Sequence, residues 1–159
     1  MNAATNFDRA FAAIVGVEGS YTDDPNDPGG STKYGLSSRA NPDLDIKGLL
    51  LEDAKRIYQL RYWQPAHCDA LPWPLALFVF DAAVNQGVDT AVKLLQKSVG
   101  TVQDGALGKN TLTAIAHADQ RELPAMYMAD RALRYTGTRN FDIYGRGWLK
   151  RLFVITINL

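Results

Sequence analysis

The sequence predicts a mainly α single domain of six to seven helices, interrupted by one irregular loop near its N-terminus. Three observations carry this. Apolar residues recur at steps of three and four along most of the chain, the period of a helix face. Gly, Pro and Asp fall between those stretches, where helices start and stop. From residue 19 the pattern gives way to acids, small polar residues, Pro and Gly, and within that stretch residues 31–37 can form a short hairpin. With 159 residues and 47% hydrophobic content the chain is long enough for one sizeable core.

Residues 6–18 read as the first helix, with Asn6 as N-cap and Asp8 in the first turn, where the helix dipole favours negative charge. Phe7, Ala10, Phe11, Ile14 and Val15 form its buried stripe. Residues 51–63 form the next helix, with Leu51, Ala54, Ile57, Tyr58 and Tyr62 near one face, and Pro65 ends it. Residues 75–86 are almost all apolar, so this helix is central and buried; Gly87 stops it. Asp89 caps a short helix over 90–97. Asp104-Gly105 is a turn signal. Residues 109–118 are helical, with Leu112, Ile115 and Ala116 inward. Asp119 or a neighbour caps a helix that runs to about Tyr135, and Pro124 suits its first turn. Phe141, Tyr144, Trp148, Leu149, Leu152 and Phe153 mark an amphipathic C-terminal helix. Leu95, Val102, Leu107 and Leu112 read as core, as do Tyr58, Trp63 and Trp73.

The chemistry concentrates where the first helix meets the loop. Steps of four, three and four lead from Phe7 to Phe11, Ile14 and Glu18, so Glu18 continues the core-facing stripe. A carboxyl withdrawn from water has a raised pKa, which a general acid at neutral pH needs. The bland alternative is a frayed helix end whose Glu reaches solvent. The loop that follows brings Asp23, Asp24 and Asp27 close behind Glu18, on a path shaped by Pro25, Pro28, Gly29 and Gly30. Two carboxylates in unlike environments, one apolar and one wet, are the arrangement that hydrolyses glycosidic bonds.

Composition excludes other classes. Seventeen basic and seventeen acidic residues leave no net charge and no like-charge block, so nucleic acid is not an expected partner. Attraction to an anionic wall would need a local patch, for which the C-terminal set Arg131, Arg134, Arg139, Arg146, Lys150 and Arg151 is the candidate; a solvated helix surface is the alternative. Cys68 is alone, so no intramolecular disulfide forms. No metal or other cofactor is expected: the acidic loop lacks the alternating EF-hand spacing, and His67, Cys68 and His117 lack zinc-site separation. The longest apolar stretch, 71–84, is too short and interrupted to span a bilayer, and no signal peptide is visible. The expectation is a monomer without stable membrane insertion, held in the cytoplasm until release.

Glu18-Gly19-Ser20-Tyr21, followed by Asp24-Pro25, Asp27, Gly29-Gly30, Thr32 and Tyr34-Gly35-Leu36, resembles the signature of glycoside hydrolase family 108. The family usually has Gly-Gly between the Glu and the Tyr, where this chain has Gly19-Ser20. The likeness continues through residues 54–63 and 80–87. It extends through Leu95-Gln96, Asp104-Gly105, Gly108 and Thr111, which resemble the helical peptidoglycan-binding region that accompanies the family, to residues 141–151. Residues 1–87 would then form the catalytic part and 88–159 a peptidoglycan-binding-like part packed on it. The family's members are N-acetylmuramidases, many of them phage endolysins. The resemblance implies a lysozyme-like fold, peptidoglycan glycan strands as substrate, cleavage of the β-1,4 bond between N-acetylmuramic acid and N-acetylglucosamine, and Glu18 as the catalytic acid.

Phage-type lysozymes of a related fold place an Asp nine residues after the catalytic Glu and a Thr a few residues later. Asp27 stands nine after Glu18 here, and Thr32 follows it. Asp27 and Thr32 are therefore expected to position the attacking water or stabilise the transition state. Asp23 and Asp24 remain alternatives, and Asp24 and Asp27 can instead cap turns. Tyr21 and Tyr34 flank the loop as sugar platforms, and Asn85 and Gln86 can face the cleft. Asp81, one turn before Asn85, is either a substrate contact or a satisfied buried carboxylate. Rival activities are a lytic transglycosylase and a chitinase or chitosanase; the non-enzyme rival is a wall-binding module. Inversion or retention depends on the carboxyl separation.

Overall fold

The computed structural model describes residues 4–15, 21–23, 30–157 and 159. Glu18, Asp24 and Asp27 lie outside the described residues. Within them run seven α-helices: α1 (Asn6–Val15), α2 (Leu51–Tyr58), α3 (Leu75–Gln86), α4 (Val88–Ser98), α5 (Lys109–His117), α6 (Glu122–Thr136) and α7 (Phe141–Ile157). One antiparallel pair, β1 (Thr32–Lys33) and β2 (Leu36–Ser37), makes the expected hairpin. One hydrophobic cluster reaches from Phe7 to Ile155.

Helix α3 is the axis of the molecule. Every residue from Leu75 to Ala83 is buried, as its apolar sequence predicts, and α1, α4 and α6 pack around it. Phe80 is the hub of an aromatic cluster, with ring centroids 5.3 Å from Trp63, 5.9 Å from Phe7 and 6.3 Å from Tyr58, all edge to face. Phe11 meets Tyr58 at 5.5 Å in the same way. Such pairs add about 0.5–1.5 kcal/mol each beyond their buried area. They fix the direction of α1, the helix that leads toward residue 18.

The helix expected over residues 51–63 is not uniform. It is α-helical to Tyr58 and π-helical over Gln59–Trp63, with the Gln64 N–H donating to the Gln59 carbonyl five residues back at 2.9 Å. The reason is packing. Tyr58 and Trp63 are both core residues, yet five positions on an α-helix turn them roughly 140° apart. The wider π turn brings both rings to Phe80. The Trp63 indole N–H donates to Asp69 at 2.8 Å.

Other corrections are local. Thr5, not Asn6, caps α1: the Asp8 N–H donates to the Thr5 hydroxyl at 3.1 Å, and the Thr5 N–H donates back to the Asp8 carboxylate at 2.9 Å. This reciprocal box outcompetes a lone Asn. The bonds from Lys55 and Thr5 hold Asp8 down at about 2. Helix α4 starts at Val88, because Gly87 adopts φ 89° and lets the chain turn and re-enter a helix at once; Asp89 pairs instead with Lys93 at 2.9 Å. Ala116 faces out, and Thr111 takes the inward place beside Ile115. Val102 is 79% exposed, outside the core it was assigned to. On α7 the buried face is Gly145, Leu152 and Ile155, while Tyr144 and Phe153 are exposed. Asp119 does serve α6, accepting the N–H of Arg121 at 2.7 Å and that of Glu122 at 3.2 Å.

The hairpin turns through Tyr34 (φ 51°) and Gly35 (φ 75°), the paired positive φ values of a tight two-residue turn. The Tyr58 hydroxyl donates to the Tyr34 carbonyl at 3.1 Å. A Cβ on Gly35 would lie 2.7 Å from that hydroxyl. Gly35→Ala is therefore expected to cost about 1–3 kcal/mol, through both left-handed strain and displacement of Tyr58. Urea denaturation of the two proteins measures it, and an unchanged midpoint would refute it.

Candidate active site

The described rim of the loop is Tyr21 to Asp23 on one side and Gly30 to Ser38 on the other. Thr32 joins the two: its N–H donates to the Thr22 carbonyl at 2.8 Å, and the Thr22 N–H donates back at 2.9 Å. A three-stranded patch results, β1 lying between Thr22 and β2. The Thr32 hydroxyl donates to the Gly30 carbonyl at 3.3 Å, which orients it and leaves its lone pairs free to accept. Tyr21 is exposed and donates to the Asp23 carboxylate at 3.2 Å. The Tyr34 ring is half-buried, with the Lys33 ammonium 5.6 Å from its centroid. Beneath them, burial and neighbouring Tyr62 push the Tyr58 phenol up to about 12, with Arg151 pulling the other way, so it stays a neutral donor to the hairpin.

The other predicted site residues stand at the end of α3, around Asp81. Asp81 is completely buried and accepts from the Arg131 guanidinium at 2.9 Å and from Arg151 at 2.9 and 2.6 Å. Of the two readings of this residue, the satisfied buried carboxylate is the one observed. It braces α6 and α7. Asn85 accepts the Tyr135 hydroxyl at 2.5 Å, and Gln86 accepts the Arg131 Nε–H at 3.3 Å. Both amides are thus engaged through their oxygens, while Asn85 remains exposed. The Tyr135 ring stacks on Trp148 at 5.2 Å and 24°. Arg131 is itself fully buried and the partly exposed Arg151 is held by Asp81, so two of the six cations proposed as a surface patch are committed to an internal carboxylate.

Sequence reasoning missed this Arg131–Arg151–Tyr135 network, yet a signal exists. Leu123, Tyr127, Arg131 and Tyr135 stand at steps of four, so Arg131 lies on the buried stripe of α6. A buried Arg requires a buried acid, and Asp81 is the one buried among the described residues. Among the described residues no group of three or more His, Cys, Asp or Glu stands together as a metal site.

A family model described as glycosyl hydrolase 108 matches residues 11–87, which contain Glu18, the loop and α3. Solved structures also match the chain. One is the structure of Brucella abortus SagA, 31% identical, with 96% of this chain and 92% of that chain covered and a TM-score of 0.82. The chain belongs to glycoside hydrolase family 108. Its fold is the mainly α, lysozyme-like one expected, and the family makes it a glycoside hydrolase. No curated protein matches the chain.

What the described residues offer such a family is a hydroxyl (Thr32), one exposed ring (Tyr21), one half-buried ring (Tyr34) and, at the end of α3, amides braced by the Asp81 network. Asp81→Asn would leave Arg131 buried without a counter-charge. A loss of about 3–5 kcal/mol is expected, with a smaller loss for Arg151→Gln, whose side chain is 36% exposed. Thermal and urea unfolding check this; a loss under about 1 kcal/mol for Asp81→Asn would refute it.

Proposed function

We propose that the protein is a peptidoglycan hydrolase, an N-acetylmuramidase that cleaves the β-1,4 bond between N-acetylmuramic acid and N-acetylglucosamine. The observation that carries this is the family match over residues 11–87, the segment that holds Glu18 at the end of an apolar stripe and the acidic loop after it. The described part of α1 supports the phase argument: Phe7, Ala10 and Phe11 are buried, and Ile14 and Val15 pack against the core from half-buried positions.

In this reading Glu18 protonates the glycosidic oxygen, and charge builds up on the sugar ring. Asp27 and Thr32 place the water or steady that charge. Tyr21 and Tyr34 offer ring faces to sugars, and the Asn85 and Gln86 amide N–H groups offer donors at the α3 end of the cleft. The cellular role proposed is wall lysis of the endolysin type, by a monomer that waits in the cytoplasm and acts on the wall after release.

Purified peptidoglycan incubated with wild type and with Glu18→Gln, with products identified by mass spectrometry, tests this. Fragments with reducing-end N-acetylmuramic acid are expected from wild type, and a rate loss of about 10²-fold or more from the variant. Anhydro ends would identify a transglycosylase, release from chitin alone a chitinase, and wall binding without turnover a binding module. Asp27→Asn and Thr32→Ala are expected to slow hydrolysis about 10-fold or more; near-normal lysis by either removes that residue from the mechanism.

A further inference from the structure

Outside the candidate active site, α7 presents an outer face that no other described element covers. Twelve large hydrophobic residues are exposed among the described residues, and six of them, from Ile143 to Leu159, belong to α7 or the residues after it. Ile143, Phe153, Val154 and Ile157 turn outward together, 72%, 68%, 44% and 79% exposed. They share one face by helical phase, with Arg146 and Lys150 interleaved among them. A groove along this face is lined by Phe153, Val154, Ile157, Arg146 and Lys150, with one acid, Asp142, among its lining residues. Monomeric proteins rarely leave such a contiguous apolar surface uncovered.

Charge selects the occupant. The whole chain is neutral, but its stretch from residue 132 to 159 is not. Between residues 132 and 159 the exposed charges are Arg134, Arg139, Arg146 and Lys150 against a single acid, Asp142. A second copy of the chain docked face to face would bring these cations against one another. A lipid surface with anionic headgroups would pair them, while the apolar side chains enter the acyl boundary. No described helix is long and apolar enough to cross a membrane, so α7 would lie in the plane of the surface.

We infer that the outer face of α7 is a docking surface for an anionic phospholipid bilayer. The protein rests on the membrane by this helix and leaves the loop around Thr32 free. The surface uses none of the residues assigned to glycosidic cleavage, so the two readings stand or fall separately.

Co-sedimentation tests it with vesicles of phosphatidylcholine alone and of an equal mixture with phosphatidylglycerol, at low and high salt. Binding to the mixed vesicles at low salt is expected, lost in high salt. Arg146→Glu with Lys150→Glu should weaken it about 30-fold or more. Phe153→Ser with Ile157→Ser should weaken it about 10-fold or more. All four side chains are exposed, so circular dichroism of both variants should match wild type. The inference is overturned by absent binding, by equal binding to neutral vesicles, or by variants that bind like wild type. A concentration-dependent dimer that Phe153→Ser dissolves would assign the face to a second copy instead. Hydrolysis of membrane-free peptidoglycan is scored in parallel: its loss bears on the enzyme reading, and loss of vesicle binding alone bears on this one.

Discussion

The structure depends on one carboxylate. Asp81 is the only charge on α3, whose residues as far as Val84 are otherwise apolar, and it receives guanidinium groups from two other helices. Arg131 brings α6 to it and Arg151 brings α7. Replacing such a group with hydrocarbon of equal volume often costs nothing in stability, so a favourable energy alone does not explain it. Geometry does. An apolar helix surface allows neighbours to slide, whereas a carboxylate shared by two planar donors allows one register. Gln86 and Asn85 extend that register by holding Arg131 and Tyr135.

A second anchor serves the loop. Tyr58 donates to the Tyr34 carbonyl at the hairpin turn. Tyr58 also packs on Phe11 and Phe80, so one side chain ties together α1, α3 and the hairpin. The two elements that approach the acidic loop, α1 from before and the hairpin from after, are therefore referred to a common point. A general acid and its partner must keep their separation to a fraction of an ångström to work. An aromatic ring with a buried, un-ionised hydroxyl is a rigid way to set the base of both.

Much of this was legible in the sequence. The bounds of α3, its burial, the hairpin within residues 31–37 and the Asp119 cap follow from local rules, and the structure carries all of them. What failed needed information from elsewhere in the fold. The π turn exists because Phe80 draws in both Tyr58 and Trp63, and neither residue announces that partner. Val102 looked like core by composition, but the loop from Thr101 to Ala106 is organised by a polar side chain. Gln96 is buried and spends its amide on Asp104, Ala106 and the Gly105 N–H. That arrangement leaves Val102 outside. The C-terminal helix deceived for a related reason. Its apolar residues occupy two faces, and only one of them has a partner among the described residues.

The fate of the C-terminal cations follows from the same carboxylate. Read as a set of six, they suggested one diffuse patch, and a solvated surface explained it as well. Asp81 divides them. Arg131 and Arg151 are withdrawn to neutralise a buried charge, and one of them is also the price of keeping α6 in register. Their removal leaves Arg134, Arg139, Arg146 and Lys150 with only Asp142 beside them, and two of those four share a face with Phe153 and Ile157. Cations that held the fold would sit among acids and polar atoms. These sit among exposed hydrocarbon, which water disfavours and which a solvated helix surface does not account for. A surface both apolar and positive is complementary to something both apolar and negative, and an anionic bilayer is the extended surface that combines the two.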